Sequence, residues 1–163
     1  MLPKAILSDD RLYRYILTRT WDITKPYIIF VGLNPSTADE TDDDNTIKKL
    51  MRYAKRWGYG GIIMTNIFAF RATEPKDMKK AEDPIGPDND RYLANMLSSG
   101  VATTVVAMWG NHGVYKGREE RVRQLLNEME FKGYISVKCF EISKQGQPKH
   151  PLFLSESLDP ISF

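Results

Sequence analysis

The chain has 163 residues, 42% of them hydrophobic and 27% charged, with a formal net charge of +2. That length suits one domain, spanning 1–163, whose core is large enough to fold without disulfides or a metal. A pI near 8.6 permits a polyanionic partner without requiring one, and the single cysteine, Cys139, excludes an internal disulfide and a cysteine-built metal site. No apolar run approaches the 18 residues of a membrane span and no signal segment is recognisable, so a cytoplasmic setting away from membranes is expected.

In chain order, Arg11 to Trp21 alternates in part and reads as an extended or edge segment, with Arg11, Arg14 and Arg19 as ordinary surface cations. Tyr27-Ile28-Ile29-Phe30-Val31 is a continuous apolar run between Pro26 and Gly32, the pattern of a buried strand. It opens into Gly32-Leu33-Asn34-Pro35-Ser36. There glycine allows close approach, Pro35 fixes its own φ, and Asn34 offers both a donor and an acceptor. A polar loop at the carboxyl end of a buried strand is where α/β sheets bind ligands.

The acidic stretch Asp39 to Asp44 lacks the glycine and terminal glutamate of an EF-hand, so Asp43 or Asp44 reads instead as a helix cap. The helix, about Asn45 to Trp57, buries Ile47, Leu50, Met51, Ala54 and Trp57 and presents Lys48, Lys49 and Arg52 outward. Those cations are either a solvated face or a phosphate-backbone contact. Ile62 to Asn66 is a second buried strand ending in an asparagine, with Phe68 and Arg71 just beyond. Strand, helix and strand make a βαβ unit. Glu74 to Asp90 is loop-rich, a short helix at Lys76 to Ala81 apart. Helices at about Asp90–Ser98 and Gly117–Met129 flank a third strand at 101–109, and a fourth strand falls within 134–142. The expected fold is α/β: a three-layer α/β/α arrangement around a four-stranded, mainly parallel sheet.

His112 and His150 both lie in loops after strands, where each is a structural residue or a charge-adaptable donor on the rim that Asn34 and Asn66 share. Phosphate-loop, dinucleotide, nucleophile-elbow and zincin motifs are all missing, and no cofactor or metal is expected.

Arg14 to Trp21, Gly32 to Ala38, Thr65-Asn66, Trp109-Gly110 and His150-Pro151-Leu152 together resemble the DUF1643 family of small bacterial and phage proteins, across roughly residues 11–154. More distantly, the ordered motifs resemble the uracil-DNA glycosylase superfamily, above all its mismatch-specific branch. That resemblance implies a glycosylase-like fold and hydrolysis of the N-glycosidic bond of a uracil-like or modified base in DNA. The alternatives are an enzyme acting on a free or modified nucleotide and a non-catalytic module that binds a base or nucleic acid. Single-stranded or mispaired DNA, or a nucleotide, is the expected partner and a monomer the expected working unit. Asn34, in Gly32-Leu33-Asn34-Pro35-Ser36, would position the attacking water, Asn45 would belong to the substrate site, and Asn66 would read the base edge. His150 would stabilise the departing base, and Lys48, Lys49 and Arg52 would contact nucleic acid. An amide is a poor general base, so Asp39 or Asp44 would supply one. Phe68 would stack on the base or serve the core, Arg71 would bind substrate, and His112 would stand farther out on the rim. Leu152-Phe153 replaces the Ser-Pro of the superfamily's histidine motif, so its duplex wedge is not recognisable.

Overall fold

The computed structural model describes residues 2–163. Seven strands form one sheet in the order β1-β2-β4-β3-β5-β6-β7. They are β1 (Ala5–Leu7), β2 (Arg14–Thr20), β3 (Tyr27–Gly32), β4 (Gly61–Asn66), β5 (Thr104–Ala107), β6 (Ser136–Cys139) and β7 (Ile161–Ser162). Four α-helices accompany them: α1 (Asn45–Arg56), α2 (Pro75–Lys79), α3 (Asn89–Ser98) and α4 (Arg118–Phe131).

The expectation of a four-stranded, mainly parallel, glycosylase-like sheet is corrected by the strand pairing. The sheet is seven-stranded and mixed. The pairs β3–β4, β3–β5 and β5–β6 are parallel, whereas β1–β2, β2–β4 and β6–β7 are antiparallel. Two short strands escape a reading based on apolar runs, and a third, read as an extended or edge segment, lies elsewhere than expected. β1 and β7 have only three and two residues. β2 carries Arg14 and Arg19 within its seven residues, yet it lies inside the sheet between β1 and β4 and is no edge.

Alternation along the strands sends successive side chains to opposite faces. Ile28 and Phe30 meet Ile47, Leu50, Tyr53 and Ala54 of α1 on one face. Ile29 and Val31 meet Leu93 and Leu97 of α3 and Val122 and Leu126 of α4 on the other. Ile28, Ile29, Ile62 and Ile63 are fully buried, and burying each such side chain contributes about 1.5–3 kcal/mol.

The chain leaves β3 for its neighbour β4 by way of α1, then returns past β3 to β5 on the other side. Connections departing to opposite sides leave a crevice beyond the carboxyl ends of the strands. The register fixes what lies there, because Gly32, the last residue of β3, pairs with Asn66, the last of β4.

Candidate functional site

A cleft of about 500 Å³ opens at this edge. That is large enough for a nucleotide-sized ligand, since such pockets typically span ~300–1,000 Å³. Its walls bring together Gly32, Asn34, Pro35, Ser36, Asp44, Asn45, Asn66 and His150, with Arg14, Thr46, Met64 and Met108 beside them.

Asn66 lies on the floor and is 1% exposed; neither its Oδ1 nor its Nδ2 has a hydrogen-bond partner among the described residues. A buried polar group without a partner costs roughly 1–3 kcal/mol, so one side chain bears that cost at both ends. Its backbone, by contrast, is held firmly. The buried Asn89 amide donates to Asn66 O at 2.9 Å and Ile67 O at 3.2 Å, and Arg118 Nε donates to Ile67 O at 2.7 Å. The space above the amide exists because residue 32 is glycine. A Cβ there would stand 2.9 Å from Asn66 Oδ1 and 2.6 Å from the Met64 methyl.

Asn34 is positioned by its own amide, whose Nδ2 donates to Ala72 O at 2.9 Å and Pro35 O at 3.1 Å. Both amide protons are thereby engaged, leaving Oδ1 as the acceptor. Asp44 caps α1, its Oδ1 accepting from Ile47 N at 2.8 Å. His150 stands exposed at the lip, and its Nδ1 accepts from Leu152 N at 3.1 Å. That bond makes the neutral ring an Nε2–H donor. Crowding by the protein lowers the imidazole pKa from its ordinary 6.5, Asp44 opposes the shift, and Lys49 adds to it.

Arg14 is the cleft residue that the sequence reading missed. It is 2% exposed and has no carboxylate within ion-pair distance among the described residues. Its Nη1 donates to Ala38 O at 2.9 Å, and its Nε is buried without a partner. Burial pushes the guanidinium pKa down to about 10 against the opposing pull of Asp44, so it stays charged at neutral pH. Arg14 to Thr18 are all buried, so β2 is covered on both faces, and the apolar Tyr15-Ile16-Leu17 that follow Arg14 were the available signal.

Several other candidates lie outside the cleft. Asp39 folds its carboxylate onto the acidic loop, where Oδ1 accepts from Thr41 N and Asp42 N at 2.9 Å each. These bonds lower its pKa to about 2. Arg19 binds the loop through Asp43 at 2.7 Å and the carbonyl of Asp39, and Arg11 pairs with Glu40 at 3.1 Å. The acidic run is thus folded against the arginines of and before β2. Among the described residues, no group of three or more His, Cys, Asp or Glu is arranged to hold a metal.

Phe68 is fully buried and packs in the core against Tyr115. Arg71 lines an adjoining shallow hollow with Arg11, Ser36 and Thr73, and donates to Arg11 O at 3.2 Å. His112 lies away from the cleft with Nδ1 3.0 Å from Lys79 Nζ. Two of the three helix cations are committed to the chain's own tail. Lys49 Nζ donates to Leu152 O and Leu154 O at 3.0 and 2.7 Å, and Arg52 pairs with Glu156 at 2.7 Å. Lys48 is exposed.

These features define an α/β domain with a preformed polar cleft at the carboxyl ends of its parallel strands. The family described as "protein of unknown function (DUF1643)" matches residues 14–152, and the chain belongs to it. No curated protein and no solved structure matches the chain, and nothing in these comparisons links it to the uracil-DNA glycosylases.

Proposed function

We propose that the cleft recognises a pyrimidine-like base and that the protein hydrolyses the N-glycosidic bond of a nucleotide carrying it. The observation behind this reading is Asn66, whose buried amide keeps donor and acceptor both unpaired. The imide edge of a uracil-like base supplies one acceptor and one donor at matching spacing, and so relieves both costs at once. The order of Asn34, Asn66 and His150 along the chain, similar to the glycosylase motifs, supports the choice of reaction.

In this mechanism a water is oriented by Asn34 Oδ1 and gives a proton to the Asp44 carboxylate as its oxygen bonds to the anomeric carbon. The carbon–nitrogen bond breaks and its electron pair leaves with the base. His150 Nε2–H donates to the base oxygen on which charge accumulates, an interaction that strengthens toward the transition state. Lys49 and Arg52, occupied by the tail, favour a free nucleotide over a long strand. A second reading, excision from single-stranded DNA, is favoured by Phe153, which is 94% exposed three residues from His150. Exposed aromatics make stacking platforms for single strands.

Release of free base from uridine and deoxyuridine monophosphates, and from single-stranded, paired and mispaired oligonucleotides, tests both readings. His150→Ala should slow release by about 10²–10³-fold, the usual loss for one charge-stabilising donor. No release from any substrate, or release unchanged in His150→Ala and Asn34→Ala, overturns the catalytic reading.

A further inference from the structure

We infer that the cleft contains a phosphate subsite built from Arg14 and the first turn of α1, which makes a phosphorylated nucleoside, rather than a free base or nucleoside, its preferred ligand. This rests on the base-binding reading for the rest of the molecule, but the subsite has its own observations.

The first is Arg14. A buried guanidinium is normally matched by a carboxylate, because an unpaired buried charge is costly. Arg14 has one backbone carbonyl and a buried, unpartnered Nε, and it lines the cleft. The second is the start of α1. Ile47 N is satisfied by the Asp44 side chain and Lys48 N by Asp44 O, but Asn45 N and Thr46 N have no acceptor among the described residues. Asn45 and Thr46 line the same cleft, and the first turn carries no acidic residue. A twelve-residue helix directs its positive end, with two free N–H groups, toward the region that Arg14 faces.

A phosphate monoester matches this set. Its several oxygens can take the guanidinium and the helix amides together, and its charge compensates Arg14. Asp44 carries the opposing charge on the same wall. Its cap bond to Ile47 N uses Oδ1, leaving Oδ2 to accept from a sugar hydroxyl or from water instead of facing the phosphate.

The test is calorimetric titration of the full chain with uridine, its 5′- and 3′-monophosphates, ribose 5-phosphate and inorganic phosphate, repeated with Arg14→Gln. At least one monophosphate is expected to bind the unaltered protein at least tenfold more tightly than uridine. Arg14→Gln should erase that advantage while leaving uridine affinity within about twofold. Equal affinity for uridine and both monophosphates, with no binding of inorganic phosphate, overturns the subsite and leaves base recognition standing. Binding of ribose 5-phosphate and phosphate without any binding of uridine keeps the subsite and rejects base recognition. No binding by any of the five rejects both. Because the decisive comparison is between ligands on the unaltered protein, misfolding of Arg14→Gln would not rescue a negative result.

Discussion

At Asn66 stability and the proposed base recognition make opposite demands on one side chain. Replacing it by leucine removes two buried, unpartnered polar atoms for a shape of similar size, a change that can be neutral or stabilising. Asn66→Leu should therefore keep or raise the unfolding free energy, by up to about 1 kcal/mol, while abolishing the proposed base binding. A clear loss of stability would mean that the amide serves the fold. Gly32 gives the opposite pairing of effects. Its φ is ordinary and the constraint is space, since the Met64 methyl and Asn66 Oδ1 occupy the volume a Cβ would need. Gly32→Ala is expected to cost about 1–3 kcal/mol by overpacking and to displace the floor amide, weakening binding as well. Equilibrium unfolding and titration with uridine monophosphate measure both.

At the scale of elements, α1 does two jobs through two faces. Its apolar stripe packs on β3 and β4, its cations Lys49, Arg52 and Arg56 hold residues 152–159, and the polar ends of Tyr53 and of the capping Trp57, both seated on the apolar side, reach the same segment. Tyr53 is 1% exposed and its hydroxyl donates to Ser155 O at 2.6 Å. Tyr53→Phe should destabilise the protein by about 0.5–1.5 kcal/mol, read from denaturant unfolding. The exposed Arg52–Glu156 pair should contribute little, within about 1 kcal/mol. The apolar stripe of α1 was legible in the sequence, because a 3.6-residue period records which face is buried. Its cations were not, because pattern shows that a charge lies outside the core but not which carbonyl it meets. Likewise Ile28 to Val31 and Ile62 to Met64 declare themselves strands by apolar content. β1 and β7 are too short to do so, and β2 reads as extended while Arg14 and Arg19 hide its place inside the sheet. Asn34, Asn66 and His150 stood out as loop and strand-end polar groups. Arg14 did not, because a buried unpaired arginine contradicts the rule that composition teaches.

For the whole molecule, ionisation makes a directional prediction about acid. His112 and His150 both have depressed pKa values in the fold, chiefly through desolvation. As pH falls below 6.5 the unfolded chain takes up protons that the folded one resists, so stability begins to fall there. Asp39, Glu40, Asp10 and Asp22 are held below their ordinary values chiefly by hydrogen bonds from, in turn, Thr41 N, Arg11, Ser8 and Thr24. Their stabilisation is complete above the unfolded values and is lost on further acidification, for Asp39 between 3.8 and about 2. Urea midpoints measured from pH 8 to pH 3 should decline in two stages, one beginning below 6.5 and the steeper below 4.5. A midpoint that rises on acidification across either window would contradict these assignments.

The attachment of the tail to α1 has a kinetic consequence. The floor of the cleft belongs to paired strands, whose amides exchange with solvent only when the sheet opens, whereas His150 belongs to a segment anchored by side chains over residues 152–159. Deuterium uptake should be slow at Phe30 to Val31 and Met64 to Thr65 and faster around His150 to Leu154, and ligand should slow only the second group. A protease cutting between Ser155 and Asp159 would free β7 from β6 together with the Arg56–Asp159 contact, while Lys49 and Tyr53 would still hold Leu152, Leu154 and Ser155 beside His150. Nicking should then lower the urea midpoint while deuterium uptake at Met64 to Thr65 stays slow.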